Sequence, residues 1–420
     1  MAGLRESSID RQQGLAPTTP QGLIVRKRPS YSDHFPRTRY DTIASQRPRL
    51  LKHVHADIEE MRRRGFDGVA TGPVLDDYPG LPAYMAEVVD EIRGQVSRGH
   101  QSRYGRPISE EAFRSGLAAD ESAQRMLTGI MGDYLSMLNF EKAGRKVFQI
   151  SSALVDRLAA TAMDAPSEYL RLPFPSCLFV IRAPTAIDDL YKIGGGQPCY
   201  DAPLSIFLSE FESRGMRKIM IQVFHSNDVV FHSFVKRELL IHPEWTIERS
   251  LCTDWTTLFE QNPDWGAADP AAKCEDESVF YDDGLQFFRI VVNTILYLAS
   301  SDPDISLRAS PVEALSVRAA ATLNRYKKHE LLEEASRYSA LDGAIAGANV
   351  APIIVAPRCA VVSAKHGAAQ TRPNKRIIVR GHWRNQAYGE GMADRKLIWI
   401  QPYWKGPEMA ELVGRPYVVR

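Results

Sequence analysis

The sequence predicts an α+β fold: an N-terminal helical region, a central antiparallel sheet with packed helices, and a C-terminal β-hairpin. Three observations lead there. Apolar residues recur every three or four positions over the first third of the chain, the period changes to two after Pro166, and strongly apolar helical stretches return only once the strands are complete. Helices, then strands, then helices is an order that favours α+β over a doubly wound sheet. No repeat of fixed period interrupts it.

Residues 1–46 are rich in Arg, Pro, Ser, Thr and Gln and lack apolar periodicity, which predicts a disordered basic arm. Residues 47–165 form the helical region. In LLKHVHADIEEMRRRG the residues Leu51, Val54, Ile58 and Met61 define one helical stripe. The Pro79-Gly80 turn leads into PAYMAEVVDEIRGQVSRG, with Pro82 placed in a first turn. Residues 109–138 continue as helix, with a second part starting at Asp120 or Glu121, and Ser151 or Ser152 caps ALVDRLAATAM. Residues 166–338 form the α+β core. SCLFVIR (176–182), LSIFLSEF (204–211), RKIMIQVFH (217–225) and DVVFHSFV (228–235) read as strands, with SNDV as a turn before the last. Helices follow in CTDWTTLFEQ, in DDGLQFFRIVVNTILYLAS up to Ser301-Asp302-Pro303, and over 311–338. Residues 339–370 are an Ala/Gly-rich connection read as loop, and 371–420 carry a basic aromatic hairpin.

A 44% hydrophobic and 25% charged composition fits a globular protein of two domains, or of one large domain with appendages. The net charge of +1 conceals segregation: residues 1–52 and 371–420 each balance to +6, and the body between them to −11. Basic ends on an acidic body suit RNA or ribosome contact, and equally a solvated tail and a charged strand face. The cysteines Cys177, Cys199, Cys252, Cys274 and Cys359 are odd in number and widely spaced, which points to reduced thiols in a cytoplasmic protein. The N-terminus shows no apolar signal region. The apolar stretch 287–299 is interrupted by Arg289, Asn293 and Thr294, so it reads as a buried helix with Ile295 as a structural residue, not as a membrane span.

Enzyme signatures are weak. His225 and His232 flank Asp228 on adjoining strand candidates, but no third ligand stands at a diagnostic spacing, so no metal is assigned. Gly194-Gly195-Gly196 follows Lys192 without a phosphate-binding motif and reads as a loop. Ser301-Asp302-Pro303-Asp304 reads as a stop and turn, and Glu275-Asp276-Glu277 as a solvated acidic loop. No catalytic residue and no cofactor is assigned, and the sequence supplies no positive case for catalysis.

The most specific local signal is RIIVRGHWRNQAYGEGMADRKLIWIQPYWKGP, which holds Trp383, Trp399 and Trp404, half of the six tryptophans. Strand alternation puts Ile377, Val379 and Trp383 on one face and Arg380, His382 and Arg384 on the other. Trp383 is read as supporting the hairpin from behind. Arg380, His382, Arg384, Tyr388, Trp399, Tyr403, Trp404 and Lys405 are the candidate partner-binding residues. A cross-strand Trp383–Trp399 pair closing a small core is the structural alternative for these two rings.

Three segments carry a family resemblance: LRLPFPSCLFVIR (170–182), FFRIVVNTILYLASSDPDI (287–305), and VRGHWRNQAYGEG followed by IWIQPYW. In this order the chain resembles the type V-A anti-CRISPR family of phages and mobile elements that blocks biogenesis of the effector nuclease, over roughly residues 140–405. Arg380, Gly381, His382, Trp383, Trp399 and Pro402 match its terminal motif. The resemblance implies a non-enzymatic adaptor that recognises the N-terminal segment of the nascent effector and provokes loss of its messenger RNA. The basic arm, the helical preface and the Ala/Gly-rich segment depart from the family and leave the target open. The expected partner is therefore an N-terminal peptide of a host protein, met on the ribosome, with RNA contacted through the basic ends and no membrane involved. A nucleic-acid-binding regulator of a phage or plasmid that stacks bases on the hairpin aromatics, or a metal-dependent nuclease, are the alternatives.

Overall fold

The computed structural model describes residues 37–188, 203–213, 216–225, 235–251, 278–308, 311–339, 341–351, 375–405 and 411–412. Most of the arm, all but the last residue of the 228–235 strand, and CTDWTTLFEQ lie outside these residues. So do Gly194-Gly195-Gly196, Glu275-Asp276-Glu277, His232 and every cysteine except Cys177.

A seven-stranded mixed sheet organises the chain, in the order β5 (Val235–Ile241), β4 (Met216–His225), β3 (Leu204–Ser213), β2 (Ser176–Ile181), β1 (Lys146–Ile150), β7 (Asp342–Ala346) and β6 (Ile305–Arg308). Strands β2 to β5 are antiparallel neighbours; the alternating runs predict β2, β3 and β4, whereas β5 starts at Val235, where the expected 228–235 strand ends. β1 adds a parallel step on both sides, pairing Val147 with Leu178 and with Gly343, and β6 returns antiparallel to β7. None of β1, β6 and β7 is predicted above. β7 emerges from the Ala/Gly-rich connection read as loop, because a short run such as DGAIA has a strand's burial without its alternation.

The sheet is covered on both faces, so its central strands are apolar throughout. Every residue of β2 is buried: Cys177, Phe179 and Ile181 enter one core, and Leu178 and Val180 the other. The first core is filled by α7 (Ser152–Ala159) and α8 (Ser278–Ala299), the second by α1 (Arg39–Gln46), α2 (Pro48–Arg63), α4 (Gly80–Tyr104) and α6 (Glu121–Lys142). α2 buries Leu51, Val54, Ile58 and Met61, the stripe read from its spacing. α3 (Gly72–Leu75) and α5 (Glu110–Ala119) complete this layer, with Ser109 capping α5.

α1 occupies the last residues of the segment read as an arm. Thr38 and Asp41 form its capping box, and its Arg39 is 1% exposed in an ion pair with the buried Asp133 of α6 at 2.8 Å. The Arg39 N–H also donates to Ser205 Oγ on β3 at 2.9 Å. No apolar periodicity announces this helix: only Tyr40 and Ile43 enter the core, and polar contacts to distant residues complete its hold.

Residues 311–338, predicted as one helix, form two: α9 (Pro311–Ala320) and α10 (Arg325–Ala335). Asn324 ends the continuity by accepting the N–H groups of Tyr326 and Lys327 with its side chain. The pair closes a small core of Leu315, Ala319, Leu331 and Ala335.

Among the described residues no helix is long and apolar enough to cross a membrane. α8 instead runs through the first core, with Phe287, Phe288, Ile290, Val291, Val292, Ile295 and Leu296 at 0–1% exposure. Its apolar residues exceed one stripe because sheet, α7 and the C-terminal hairpin surround it.

Candidate partner-binding site

The C-terminal strands divide into two small sheets. β8 (Lys375–Val379) pairs with β11 (Tyr403–Lys405) and β12 (Glu411–Leu412), while β9 (His382–Tyr388) pairs with β10 (Asp394–Ile400) as a hairpin. The first arm, expected to run unbroken through Arg380, stops at Arg380-Gly381. The cause is a close approach: Gly381 bridges Thr161, donating to Ala160 O at 3.1 Å and accepting from Ala162 N at 2.9 Å. A Cβ there would meet Thr161 Oγ1 at 2.6 Å and Pro402 Cδ at 2.8 Å, so glycine is required for space.

Beyond the break, alternation sorts the hairpin. Trp383 faces inward and is 7% exposed. Its partner across the ladder is Trp399, with ring centroids 6.2 Å apart and planes 26° apart. Trp383 Nε1 donates to Asn293 Oδ1 of α8 at 2.8 Å, and Asn293 Nδ2 donates to the carbonyls of Leu158 and Thr161 at 3.1 Å each. Trp399 Nε1 donates to Thr161 Oγ1 at 3.2 Å, and its ring meets Tyr297 edge-on at 5.3 Å. The inward face is thus a docking seam onto α7 and α8.

The outward face carries His382, Arg384 and Tyr388, all exposed, opposite Ile400, Ile398 and Asp394. Lys396 lies with its ammonium 5.4 Å from the centre of the Tyr388 ring. Arg380 sits at the break, half-buried, outside this row. Tyr403 and Lys405 are exposed on the neighbouring small sheet, where Trp404 pairs with Ile378 through the backbone. The structure therefore brings His382, Arg384 and Tyr388 together, sets Tyr403 and Lys405 on another strand, and turns Trp399 towards the core edge. Ile295 lies in the first core at 0% exposure.

Two grooves flank the hairpin. One, of about 580 Å³, is lined by Glu168, Tyr169, Arg171, Leu172, Leu298 and Leu397. The other, of about 440 Å³, lies between the C-terminal end of α8 and β10, with Arg157, Tyr297, Asp302, Asp304, Asn349 and Trp399 in its wall. Asp304 is held by the N–H and Nδ2 of Asn349 at 2.6 and 3.0 Å. Burial disfavours the charged form of each group, raising the Tyr297 hydroxyl pKa and lowering that of the Arg157 guanidinium. Asn293, Thr161 and Tyr297 organise the site but go unnoticed in the sequence, where Asn293 shows only as an interruption of an apolar run.

Among the described residues no three His, Cys, Asp or Glu side chains are grouped to hold a metal ion. Cys177 is fully buried, and burial pushes its thiol pKa up.

Comparison with known proteins gives a specific likeness. A model of the AcrVA2-like family, described as the anti-CRISPR type V subtype A2 family, matches residues 148–407. A solved structure described as "Crystal structure of AcrVA2" is similar at 13% identity, covering 77% of this chain and 96% of that one, with a TM-score of 0.31. No curated protein matches the sequence.

Proposed function

The chain belongs to the AcrVA2-like family of type V subtype A2 anti-CRISPR proteins, and from that premise we propose that it acts as an adaptor, without catalysis of its own, capturing a short peptide of a host defence protein during synthesis and suppressing that protein's production. The observation that carries this reading is the family match, which spans the docked hairpin and both of its flanking grooves. The grooves support it further, since each joins apolar walls to a few polar groups, as a peptide site does. The exposed His382, Arg384 and Lys396 beside Tyr388 suit contact with RNA or the ribosome through the same hairpin.

Affinity purification from translating cells tests the proposal. Capture of a nascent defence protein that survives nuclease treatment, with a fall in its messenger RNA, is the expected result. Capture of arbitrary RNA alone, lost steeply with added salt, would favour a nucleic-acid-binding regulator instead.

A further inference from the structure

The two edges of the seven-stranded sheet differ in a way that bears on where a peptide is held. At one edge, β5 carries the exposed Lys236 and the half-buried Glu238, an ion pair at 3.6 Å. Charges of this kind discourage pairing with another strand. At the other edge, β6 reads Ile-Ser-Leu-Arg, and its Leu307 is 88% exposed and its Ile305 40%. Among the described residues no further strand pairs with it.

The hydrogen-bond register fixes which groups this edge offers. Ile305 stands opposite Ala346, so Asp304 stands opposite Gly347, whose N–H donates to Asp304 O at 2.8 Å. Bonded and non-bonded pairs alternate along an antiparallel ladder, so Ser306 and Arg308 bond inward to β7. Ile305 and Leu307 then direct both their N–H and C=O groups outward. The Ala346 carbonyl agrees with this phase, since it accepts from Ser151 on the opposite side at 3.1 Å. The residues with outward main-chain groups are therefore the ones with exposed apolar side chains.

β6 also leads into the groove under Trp399. Asp304 immediately precedes the strand and lines that groove together with Asp302, Tyr297 and Trp399. Asp302 is exposed there. The two carboxylates of the groove outnumber its one guanidinium, Arg157, so beside the aromatic faces they favour a cation, and the acidic balance of the body, −11 over residues 53–370, acts in the same sense.

We propose that β6 takes an extended peptide as an eighth strand, with an apolar side chain against Leu307 and a Lys, Arg or terminal ammonium in the groove at Asp302. This rests on the peptide-capture reading and specifies its site. Main-chain bonds to Ile305 and Leu307 supply affinity, and the Leu307 surface and Asp302 supply selectivity.

The test uses the full chain and a synthetic peptide of the type V-A effector nuclease's N-terminal segment, followed by fluorescence anisotropy. Single backbone N-methyl groups placed along the peptide should weaken binding with a period of two, about tenfold at each sensitive position for one lost hydrogen bond. Leu307→Pro, which removes an outward N–H and keeps the inward bonds, should weaken it similarly, and Leu323→Ser, at another exposed site, should not. Asp302→Asn should weaken the native peptide but not one whose Lys and Arg are replaced by norleucine. Uniform or absent N-methyl effects would overturn the strand addition while leaving peptide capture standing. A period-two effect that ignores Leu307→Pro in a folded variant would move the strand to another edge and overturn it equally. An Asp302→Asn loss that persists with the norleucine peptide would overturn the cation site. Failure of the wild-type chain to bind the peptide would sink the capture reading itself, and this inference with it.

Discussion

Trp383 on the hairpin and Asn293 inside α8 are joined by a buried hydrogen bond of 2.8 Å, and the amide of Asn293 is simultaneously spent on two α7-end carbonyls. One side chain thus saturates three groups from two other elements. Asn293→Leu keeps the branched outline in a larger side chain but leaves the indole N–H and both carbonyls without the amide. The expected loss is about 3 kcal/mol in urea unfolding, and a variant as stable as wild type would show that water or backbone shifts replace the amide.

The two faces of β9 should respond oppositely to alanine. Trp383→Ala removes a ring that is 7% exposed and should cost about 3–5 kcal/mol. His382→Ala with Arg384→Ala alters exposed groups and should change stability by no more than about 0.5 kcal/mol, while reducing capture of the partner in a pull-down. A double variant that melts early and still captures its partner would make that row structural.

Gly381→Ala should loosen the hairpin's hold on α7, since its new methyl meets Thr161 Oγ1 and Pro402 Cδ inside contact distance. A destabilisation of about 1–3 kcal/mol is expected, with faster amide exchange at Ala160–Ala162 and along β9 measured by mass spectrometry. Unchanged exchange there would mean the strand pivots freely about the break.

Arg39 and Asp133 form a buried pair, and removing one charge strands the other. Asp133→Ala should cost about 3–5 kcal/mol, whereas Arg39→Met with Asp133→Leu should cost less, its residual loss coming from Arg47, the second partner of Asp133 at 3.5 Å. Additive losses in the double variant would contradict the coupling.

Cys177 gives a pH prediction. Burial raises its pKa in the folded chain, so folding favours the thiol; that contribution is complete below the ordinary thiol pKa and fades as pH rises towards the folded value. Alkylation at Cys177, located by peptide mass mapping, should stay slow at mildly alkaline pH and become fast on unfolding. Rapid labelling of the folded protein would show that β2 opens.

The sequence made some elements plain for physical reasons. α8 is apolar all round, which only a surrounded helix tolerates, and the β2–β4 runs alternate or saturate with apolar residues as covered strands do. The His382–Trp383–Arg384 alternation appears in the structure as exposed, buried, exposed. What was hidden depends on distant partners. α1 is held by Asp133 and Ser205, β1 and β7 are brief runs whose strand character comes from each other, and the break at Arg380-Gly381 is imposed by Thr161 and Pro402. None of these leaves a local pattern. The composition likewise located the basic hairpin but not the Asn293–Trp383 bond that docks it, because a single asparagine in an apolar helix has no periodic signature.

The family match opens at Phe148, partway along β1, so helices α1 to α6 all precede it. Those helices nonetheless roof the central strands on one side of the sheet, resting on Leu178, Val180, Phe207, Met220, Phe224 and Ile345. A fragment trimmed to the matched span would bare this wall of aliphatic and aromatic side chains to water and would be expected to aggregate. In this chain the matched span is not self-sufficient: the helices that precede it are its lid, and removing them would leave the sheet residues beneath without their cover.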